Sequence, residues 1–258
     1  MAPRLTIVTP SFQQAAFIER TIRSVLDQEY PDLEYLIVDG GSTDGSVEII
    51  ERYADRIAWW VSEPDDGQTD ALNKALRRAT GDIVAYINSD DYYLPGAFQT
   101  AVDALQRTSA LWAVGASRFV DADGNTTEIW RPELPLSRSR AGMAAGPWGV
   151  PQASTFWRRE CFDRYGLFRE DMHYVFDTEY GLRLAFAGHL PALIDAELAV
   201  RVVHPEAKSW DTTPFEREAA AMEREYRARL TPRERALYAV ERPFAHGVVA
   251  ARRLVGRA

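Results

Sequence analysis

The chain has 258 residues, 46% of them hydrophobic and 26% charged, which suits one α/β domain with a sizeable core and is unlike a disordered or collagenous chain. A formal net charge of -8 opposes general affinity for nucleic acid, because neutralising phosphates takes concentrated Lys and Arg. Cys161 is the one cysteine, so no intrachain disulfide can form and a reducing compartment is expected. The opening Met1-Ala2-Pro3-Arg4 lacks the apolar stretch of a signal peptide, and no apolar run approaches the roughly 20 residues that cross a bilayer. The expected location is cytoplasmic.

Leu5 to Thr9, Tyr35 to Val38, Ile57 to Val61 and Ile83 to Ile87 are short β-branched runs separated by amphipathic segments. That alternation predicts βαβ units and a largely parallel sheet. Ser42, Thr43 and Asp44 are placed to cap a helix running to about Tyr53, and Asp66 precedes one ending near Gly81. In the doubly wound order 3-2-1-4 the winding reverses between the first and fourth strands, which opens a ligand crevice beyond their carboxyl ends. Thr9 to Phe12, Asp39 to Ser42 and Asn88 to Asp91 all stand at those ends.

Past Pro95 a helix is expected to about Thr108, then a strand over Trp112 to Val120 and a hairpin turn at Asp121 to Asn125. Residues 138 to 151, rich in Gly, Ala and Ser, lack periodicity and read as a mobile loop. Ala153 to Trp157 and Leu193 to Val203 read as strands, Phe176 to Phe186 as a helix and about Phe215 to Leu230 as another. From Thr231 the chain is basic and amphipathic, with Arg233, Arg235 and Arg242 beside Leu237, Tyr238 and Phe244. This tail suits either an anionic membrane surface or a helical pair packed on its own domain or a second subunit, and Pro243 and Gly247 would interrupt one long helix.

Asn88-Ser89-Asp90-Asp91 follows an apolar strand, so its carboxylates are expected at the mouth of the crevice. Hard oxygen ligands suit Mg²⁺ or Mn²⁺, which shares the oxygens of a diphosphate and neutralises charge on a departing nucleoside diphosphate. Asp91 also precedes a helix and would serve as its cap. Asp39-Gly40-Gly41-Ser42-Thr43-Asp44-Gly45 closes the second strand; its carboxylate can accept from a ribose or a base edge, and its glycines admit a ligand close to the backbone. The same letters build an ordinary turn and helix cap. Thr9-Pro10-Ser11-Phe12 stands where a dinucleotide site would carry G-x-G-x-x-G, which disfavours a nicotinamide dehydrogenase. Phe12 either stacks on a base or joins the core.

TPSF at 9 to 12, DGGSTDGS at 39 to 46, EPDDGQTDALNKAL at 63 to 76 and NSDD at 88 to 91 together resemble, in order and spacing, the family 2 inverting glycosyltransferases of GT-A fold. The resemblance covers about residues 4 to 205. It implies an α/β fold with a GT-A-type doubly wound, mostly parallel central sheet, helices on both faces and a C-terminal helical extension. The glycosyltransferase domain would span 1–205, with a nucleotide-sugar-binding half over about 1–108 and an acceptor half over about 109–205, and the extension 206–258. Thr9, Ser11 and Phe12 would line the nucleotide pocket, Asp39 would recognise the nucleoside, and Asp70 and Lys74 would lie beside the donor. Lys74 would either reach a phosphate or stand in solvent. NSDD would occupy the D-x-D position, with Asn88 and Ser89 on the donor and Asp90 and Asp91 on the metal. Asn88 departs from the pattern, since the family usually has an aspartate there, and metal affinity would be weaker unless Asp91 contributes.

An inverting transfer needs a base to take the acceptor proton while the diphosphate leaves from the opposite face. Asp177, in YVFDTEYGLR, resembles the family's acidic motif behind the acceptor and is assigned as that base, although it would also suit an N-cap. Glu179 competes, but its spacing to Arg183 suits a local ion pair. Gln152 and Trp157 in VPQASTFWRR resemble a segment near the acceptor, and Trp148 offers a stacking face to a sugar; each also reads as packing. His204 resembles a position that approaches the metal or diphosphate in some relatives, beside its plainer reading as a structural hydrogen-bonder.

The resemblance thus implies transfer from a UDP-, dTDP- or GDP-linked sugar to a glycan, lipid-linked or small-molecule acceptor, in bacterial cell-surface polysaccharide assembly at the inner face of the membrane. The tail would give peripheral membrane contact or dimerisation. Two other classes stay open: a catalytically silent nucleotide-sugar-binding or scaffolding protein, and a sugar nucleotidyltransferase, whose glycine-rich phosphate loop TPSF does not supply.

Overall fold

The computed structural model describes residues 2–132, 139–145, 150–208 and 212–255, with side chains as far as Pro243. Three βα steps and a fourth strand open the chain: β1 (Leu5–Ser11), α1 (Ile18–Leu26), β2 (Leu33–Asp39), α2 (Ser46–Glu51), β3 (Trp59–Ser62), α3 (Gln68–Leu76) and β4 (Ile83–Tyr86). The two-residue β5 (Tyr92–Tyr93), α4 (Ala97–Gln106), β6 (Trp112–Val120), β7 (Thr126–Trp130) and α5 (Arg140–Ala145) follow. A 3₁₀ turn over Gln152–Ser154 leads into β8 (Thr155–Arg158), α6 (Glu160–Tyr165), α7 (Phe176–Phe186), β9 (Ala192–Val202), α8 (Thr212–Ala228) and α9 (Pro232–Val255).

Among the described residues nine strands form one sheet in the order β3-β2-β1-β4-β8-β6-β9-β5, with β7 paired to β6. β1 runs parallel to β2 and β4, and β2 to β3, which is the expected 3-2-1-4 core of a doubly wound sheet. β8 then enters antiparallel against β4 and β6, so the sheet is mixed beyond its parallel half. All seven residues of β1 are buried because helices cover both faces. Alternate side chains serve opposite cores, with Leu5 and Ile7 joining Ile22, Ile37 and Phe156 while Val8 joins Val38, Leu72 and Trp157.

Three elements depart from the sequence expectations. The segment expected as a mobile loop contains α5, whose Ala141, Ala144 and Ala145 are buried against Leu230 and Tyr238. Its small residues permit close approach of the extension; the composition that suggested a loop is that of a packed interface. α9 runs through Pro243 as one helix, although Pro243 and Gly247 were expected to interrupt it. A capping box starts it, with Glu234 accepting the Thr231 N–H at 2.7 Å and Thr231 Oγ1 facing the Glu234 N–H at 3.3 Å. Finally, β5 was not anticipated, and its antiparallel pairing with β9 draws the turn after β4 toward residues 199–200.

The extension packs on its own domain. Met222 and Tyr226 of α8 join the core that holds Trp112, Trp157 and Tyr180, and the Tyr226 hydroxyl donates to Glu179 Oε1 at 2.7 Å. Among the described residues no helix is long and apolar enough to cross a membrane.

Candidate active site

The carboxyl ends of β2, β1 and β4 form the floor of the crevice. Register sets Ser11 beside Asp39 and Asp39 beside Ser62. The Asp39 carboxylate is buried and accepts from the Gly41 N–H at 3.1 Å, the Ser42 N–H at 2.8 Å, the Ser42 hydroxyl at 2.6 Å and the Ser62 hydroxyl at 2.7 Å. Four donors occupy the roughly four lone-pair directions of a carboxylate. Asp39 therefore first shapes the 40–45 turn, whose Gly41 and Gly45 take φ of 80° and 103°. Thr9 was expected in the nucleotide pocket, but it is fully buried with its Oγ1 3.0 Å from the Tyr35 hydroxyl, so it locks β1 to β2 beneath the floor. Ser11 Oγ is buried with no hydrogen-bond partner among the described residues. Phe12 is 60% exposed, so it is no core residue, and its ring edge stands 3.2 Å from where a Cβ on Gly40 would lie.

One wall comes from the start of α3. Gln68 donates from Nε2 to Asn88 Oδ1 at 2.7 Å, and Asp70 accepts the Asp66 N–H at 3.3 Å. Lys74 donates to Glu63 Oε1 at 2.8 Å, and the two form an ion pair on this wall.

The turn after β4 separates two adjacent carboxylates. The Asp91 N–H donates to the Asn88 carbonyl at 3.1 Å, and Thr21 Oγ1 lies 2.8 Å and 2.6 Å from the carbonyls of the buried Ser89 and of Asp91. Asp91, expected on the metal, is instead turned into the protein: Oδ1 accepts the Val202 N–H at 3.1 Å and Oδ2 lies 3.8 Å from Arg201 Nε. Burial, then the neighbouring Asp90 charge, pushes its carboxyl up to about 7. Asp91 ties the turn to β9. Asp90 faces the opposite way, with Oδ2 3.1 Å from His204 Nε2. The His204 ring stacks on Phe17 at 4.3 Å, and its buried Nδ1 has no hydrogen-bond partner among the described residues.

The opposite wall is the start of α7. Asp177 is its second residue, and Oδ1 accepts the Thr178 N–H at 2.6 Å and lies 3.3 Å from Thr178 Oγ1. Burial holds the Asp177 carboxyl above the usual carboxylate range. Its rival Glu179 is buried, bonded to Arg183 Nε at 3.2 Å and to Tyr226, which is a structural place. Gln152, expected near the acceptor, uses its buried amide to donate to the Tyr86 carbonyl at 2.9 Å, so it secures the end of β4. Trp157 lies in the core, stacked parallel to Tyr86 at 6.1 Å. Trp148 lies outside the described residues.

Two residues that sequence reasoning passed over meet the same walls. Lys208 donates to Gln68 Oε1 at 3.1 Å, and Glu218 of α8 accepts the N–H groups of His173, Tyr174 and Val175 just before α7. Neither belongs to a motif, and only the fold brings them there.

With this geometry in hand, comparison with known proteins is informative. Residues 6–166 match the family described as Glycosyl transferase family 2. An uncharacterized glycosyltransferase of Mycobacterium tuberculosis is 32% identical over 189 residues, which are 71% of this chain and 70% of the relative. TuaG of Bacillus subtilis, named for teichuronic acid biosynthesis, is 34% identical over 136 residues, 51% of this chain and 54% of TuaG. Among solved structures, S. aureus TarS 1-349 in complex with UDP-GlcNAc gives a TM-score of 0.63 at 17% identity, over 79% of this chain and 60% of that chain. The mannosyltransferase PcManGT of Pyrobaculum calidifontis, in complex with GDP-Man and Mn²⁺, gives 0.65 at 23% identity, over 97% of this chain and 74% of that one. Both structural likenesses are of fold, the GT-A arrangement of a glycosyltransferase.

Proposed function

The chain belongs to glycosyl transferase family 2, and on that premise we propose that it moves a sugar from a nucleoside-diphosphate sugar to an acceptor hydroxyl with inversion at the anomeric carbon. The observation that carries this reading is the 3.1 Å contact between His204 Nε2 and Asp90 Oδ2, residues 114 apart in sequence, at the carboxyl end of the parallel strands. It gathers a carboxylate and an imidazole at the turn after β4. The nucleotide-sugar ligands named for TarS and PcManGT support the donor class, and TuaG supports a polysaccharide acceptor.

Asp90 and His204 fit a divalent ion such as Mn²⁺ or Mg²⁺. A hard carboxylate oxygen and an imidazole nitrogen already point at each other, and such ions commonly take one or two protein ligands and fill the remainder with phosphate oxygens and water. No group of three or more His, Cys, Asp or Glu able to hold a metal stands together among the described residues, which agrees with a donor that supplies the other ligands. When bound, the ion would neutralise charge on the leaving diphosphate.

The remaining steps belong to the chain. The exposed Phe12 offers a stacking face to the base, and the Asp39-built turn brings backbone close to the nucleoside. The acceptor oxygen bonds to the anomeric carbon while that carbon's bond to the diphosphate oxygen breaks. Its proton passes to Asp177, and the electron pair leaves with the nucleoside diphosphate. Oδ1 of Asp177 is engaged by Thr178, which leaves Oδ2 for the acceptor, and its raised pKa makes it a stronger base than an ordinary carboxylate.

The test is release of nucleoside diphosphate from UDP-GlcNAc and GDP-mannose, with Mn²⁺ and then with EDTA, beside thermal unfolding with UDP, dTDP and GDP. Metal-dependent release, and a rise in melting temperature with one nucleotide, are expected. A protein that neither cleaves a donor nor is stabilised by any nucleotide would sink the transferase reading.

A further inference from the structure

Lys208 stands four residues past His204, and its ammonium is held by two uncharged oxygens. Gln68 Oε1 lies at 3.1 Å, and the carbonyl of His173 accepts a second hydrogen bond. The ammonium also rides over the Tyr174 ring, 4.9 Å from its centroid. No carboxylate pairs with it within 4.0 Å among the described residues, so its charge is uncompensated at contact distance.

Its neighbours give that charge a direction. The amide of Gln68 that accepts from Lys208 donates from its other end to Asn88 Oδ1 at 2.7 Å. At the other end of the same short segment, His204 meets Asp90 at 3.1 Å. Residues 204 and 208 thus grip the 88–90 turn from two sides, one directly and one through Gln68. Gln68 opens α3, the wall assigned to the donor. His173, the second contact of Lys208, lies on the chain leading into α7 and Asp177. The cation therefore stands between the wall assigned to the donor and the wall assigned to the base.

We propose that Lys208 is a ligand of the donor's diphosphate, held by Gln68 until phosphate oxygens replace its neutral partners. The inference rests on the nucleotide-sugar reading above. A hydrogen bond from an ammonium to a phosphate oxygen joins opposite charges, which one to a neutral amide or carbonyl oxygen does not. A lysine on its flexible stem is a mobile point charge suited to that exchange. Negative charge on the diphosphate grows as its bond to the anomeric carbon breaks, and a cation already in place stabilises that change without reorganisation. Asn88 is neutral and Asp91 faces inward, so Asp90 is the carboxylate of this turn left beside the phosphates, while Glu218 and Asp177 act on the ammonium from beyond contact distance.

The experiment is calorimetric titration of the full chain with UDP, dTDP and GDP in the presence of Mn²⁺, followed by the tightest of these and its parent nucleoside on variants. Lys208→Met keeps most of the stem and is expected to weaken diphosphate binding at least tenfold, to change nucleoside binding less than twofold and to leave the melting temperature near wild type. Lys208→Arg is expected to restore diphosphate affinity to within about threefold. Gln68→Glu, which sets a carboxylate against the ammonium, is expected to weaken diphosphate binding as well. If wild type binds a diphosphate and Lys208→Met binds it equally, Lys208 is no phosphate ligand and the donor reading stands. Should Lys208→Met fail to fold, unchanged affinity in Gln68→Glu overturns the inference instead. Wild type that binds none of the three diphosphates overturns the donor reading and this inference together.

Discussion

The carboxylate of Glu218 accepts the Val175 N–H at 2.8 Å, and with it the N–H groups of Tyr174 at 2.5 Å and His173 at 2.8 Å. Residues 173–175 lead directly into α7, where Val175 provides no side-chain cap of its own. α8 therefore supplies from about 40 residues downstream the anion that a helix N-terminus ordinarily finds in its own sequence. The C-terminal extension is thus built into the wall that carries Asp177.

Glu218→Ala should leave three N–H groups to water and loosen the entry to α7. The expected result is a fall in kcat of about tenfold with a smaller rise in donor KM, because Lys208 bonds the His173 carbonyl of the same segment. Glu218→Gln, with one neutral acceptor oxygen, should lie between. Equal losses in kcat and donor affinity would instead mark Glu218 as a general stabiliser of the fold.

Asp177→Asn should abolish transfer while donor binding persists, because the base acts on the acceptor. The pH dependence follows from burial, which raises the Asp177 pKa. Transfer needs the ionised form, so kcat should climb with pH through a limb lying above the usual carboxylate value of about 4. For stability the sign is fixed in the same way. A folded pKa above the unfolded one means that the native state binds more protons between them, so stability is fully present below the unfolded value and declines as pH rises through the folded one. Asp177→Asn should remove that decline, which melting curves from pH 4 to 8 will reveal.

His204→Ala should raise the Mn²⁺ concentration needed for half-maximal activity by at least tenfold, about 1.4 kcal/mol of ion binding. The ring also packs on Phe17, so a modest loss of melting temperature is expected alongside. His204→Ala with an unchanged metal titration would leave Asp90 as the sole protein ligand.

How far the sequence spoke for itself depended on the range of each interaction. β1 to β4 were readable because uninterrupted β-branched runs flanked by amphipathic segments leave few other ways to bury both faces of a sheet. Both Asp90 and Asp91 were expected on the metal, with a helix cap as the other reading of Asp91, since both lie at the end of an apolar strand. The bond from the Asp91 N–H to the Asn88 carbonyl and the arrival of β9 turn one inward. α5 was missed because Ala and Gly suit a loop as well as a close helix contact, and only the distant Leu230 and Tyr238 decide between them. Lys208 and Glu218 act across 140 and 45 residues, and no local pattern announces such partners.

Asp39→Asn tests whether the turn or the ligand depends most on that carboxylate. Asparagine offers one acceptor oxygen and two donors to a position where four donors converge, so at least one amide or hydroxyl is left unpaired. The cost expected is about 2 kcal/mol of stability, or several degrees of melting temperature. Nucleotide affinity should fall as well, because the 40–45 turn loses its frame. If affinity falls while the melting temperature holds, Asp39 acts chiefly on the ligand.

Gly40→Ala separates the shape of the nucleotide pocket from the stability of the fold. An added Cβ would lie 2.9 Å from Asp65 Oδ2 and 3.2 Å from Phe12 Cδ2, too close for either side chain to keep its place. Gly40, unlike Gly41 and Gly45, lies outside the left-handed region, so alanine brings no backbone strain there. Both atoms it meets are the ends of side chains, and Phe12 is already largely in solvent, so both can swing aside. Stability should therefore move by less than about 1 kcal/mol, whereas displacing Phe12 removes the proposed stacking face and should weaken nucleotide binding about tenfold. Phe12→Ala should reproduce that loss without adding to it in the double variant, since both act on one ring. Additive losses would mean that Gly40 contacts the ligand through its own backbone and that Phe12 is not the route.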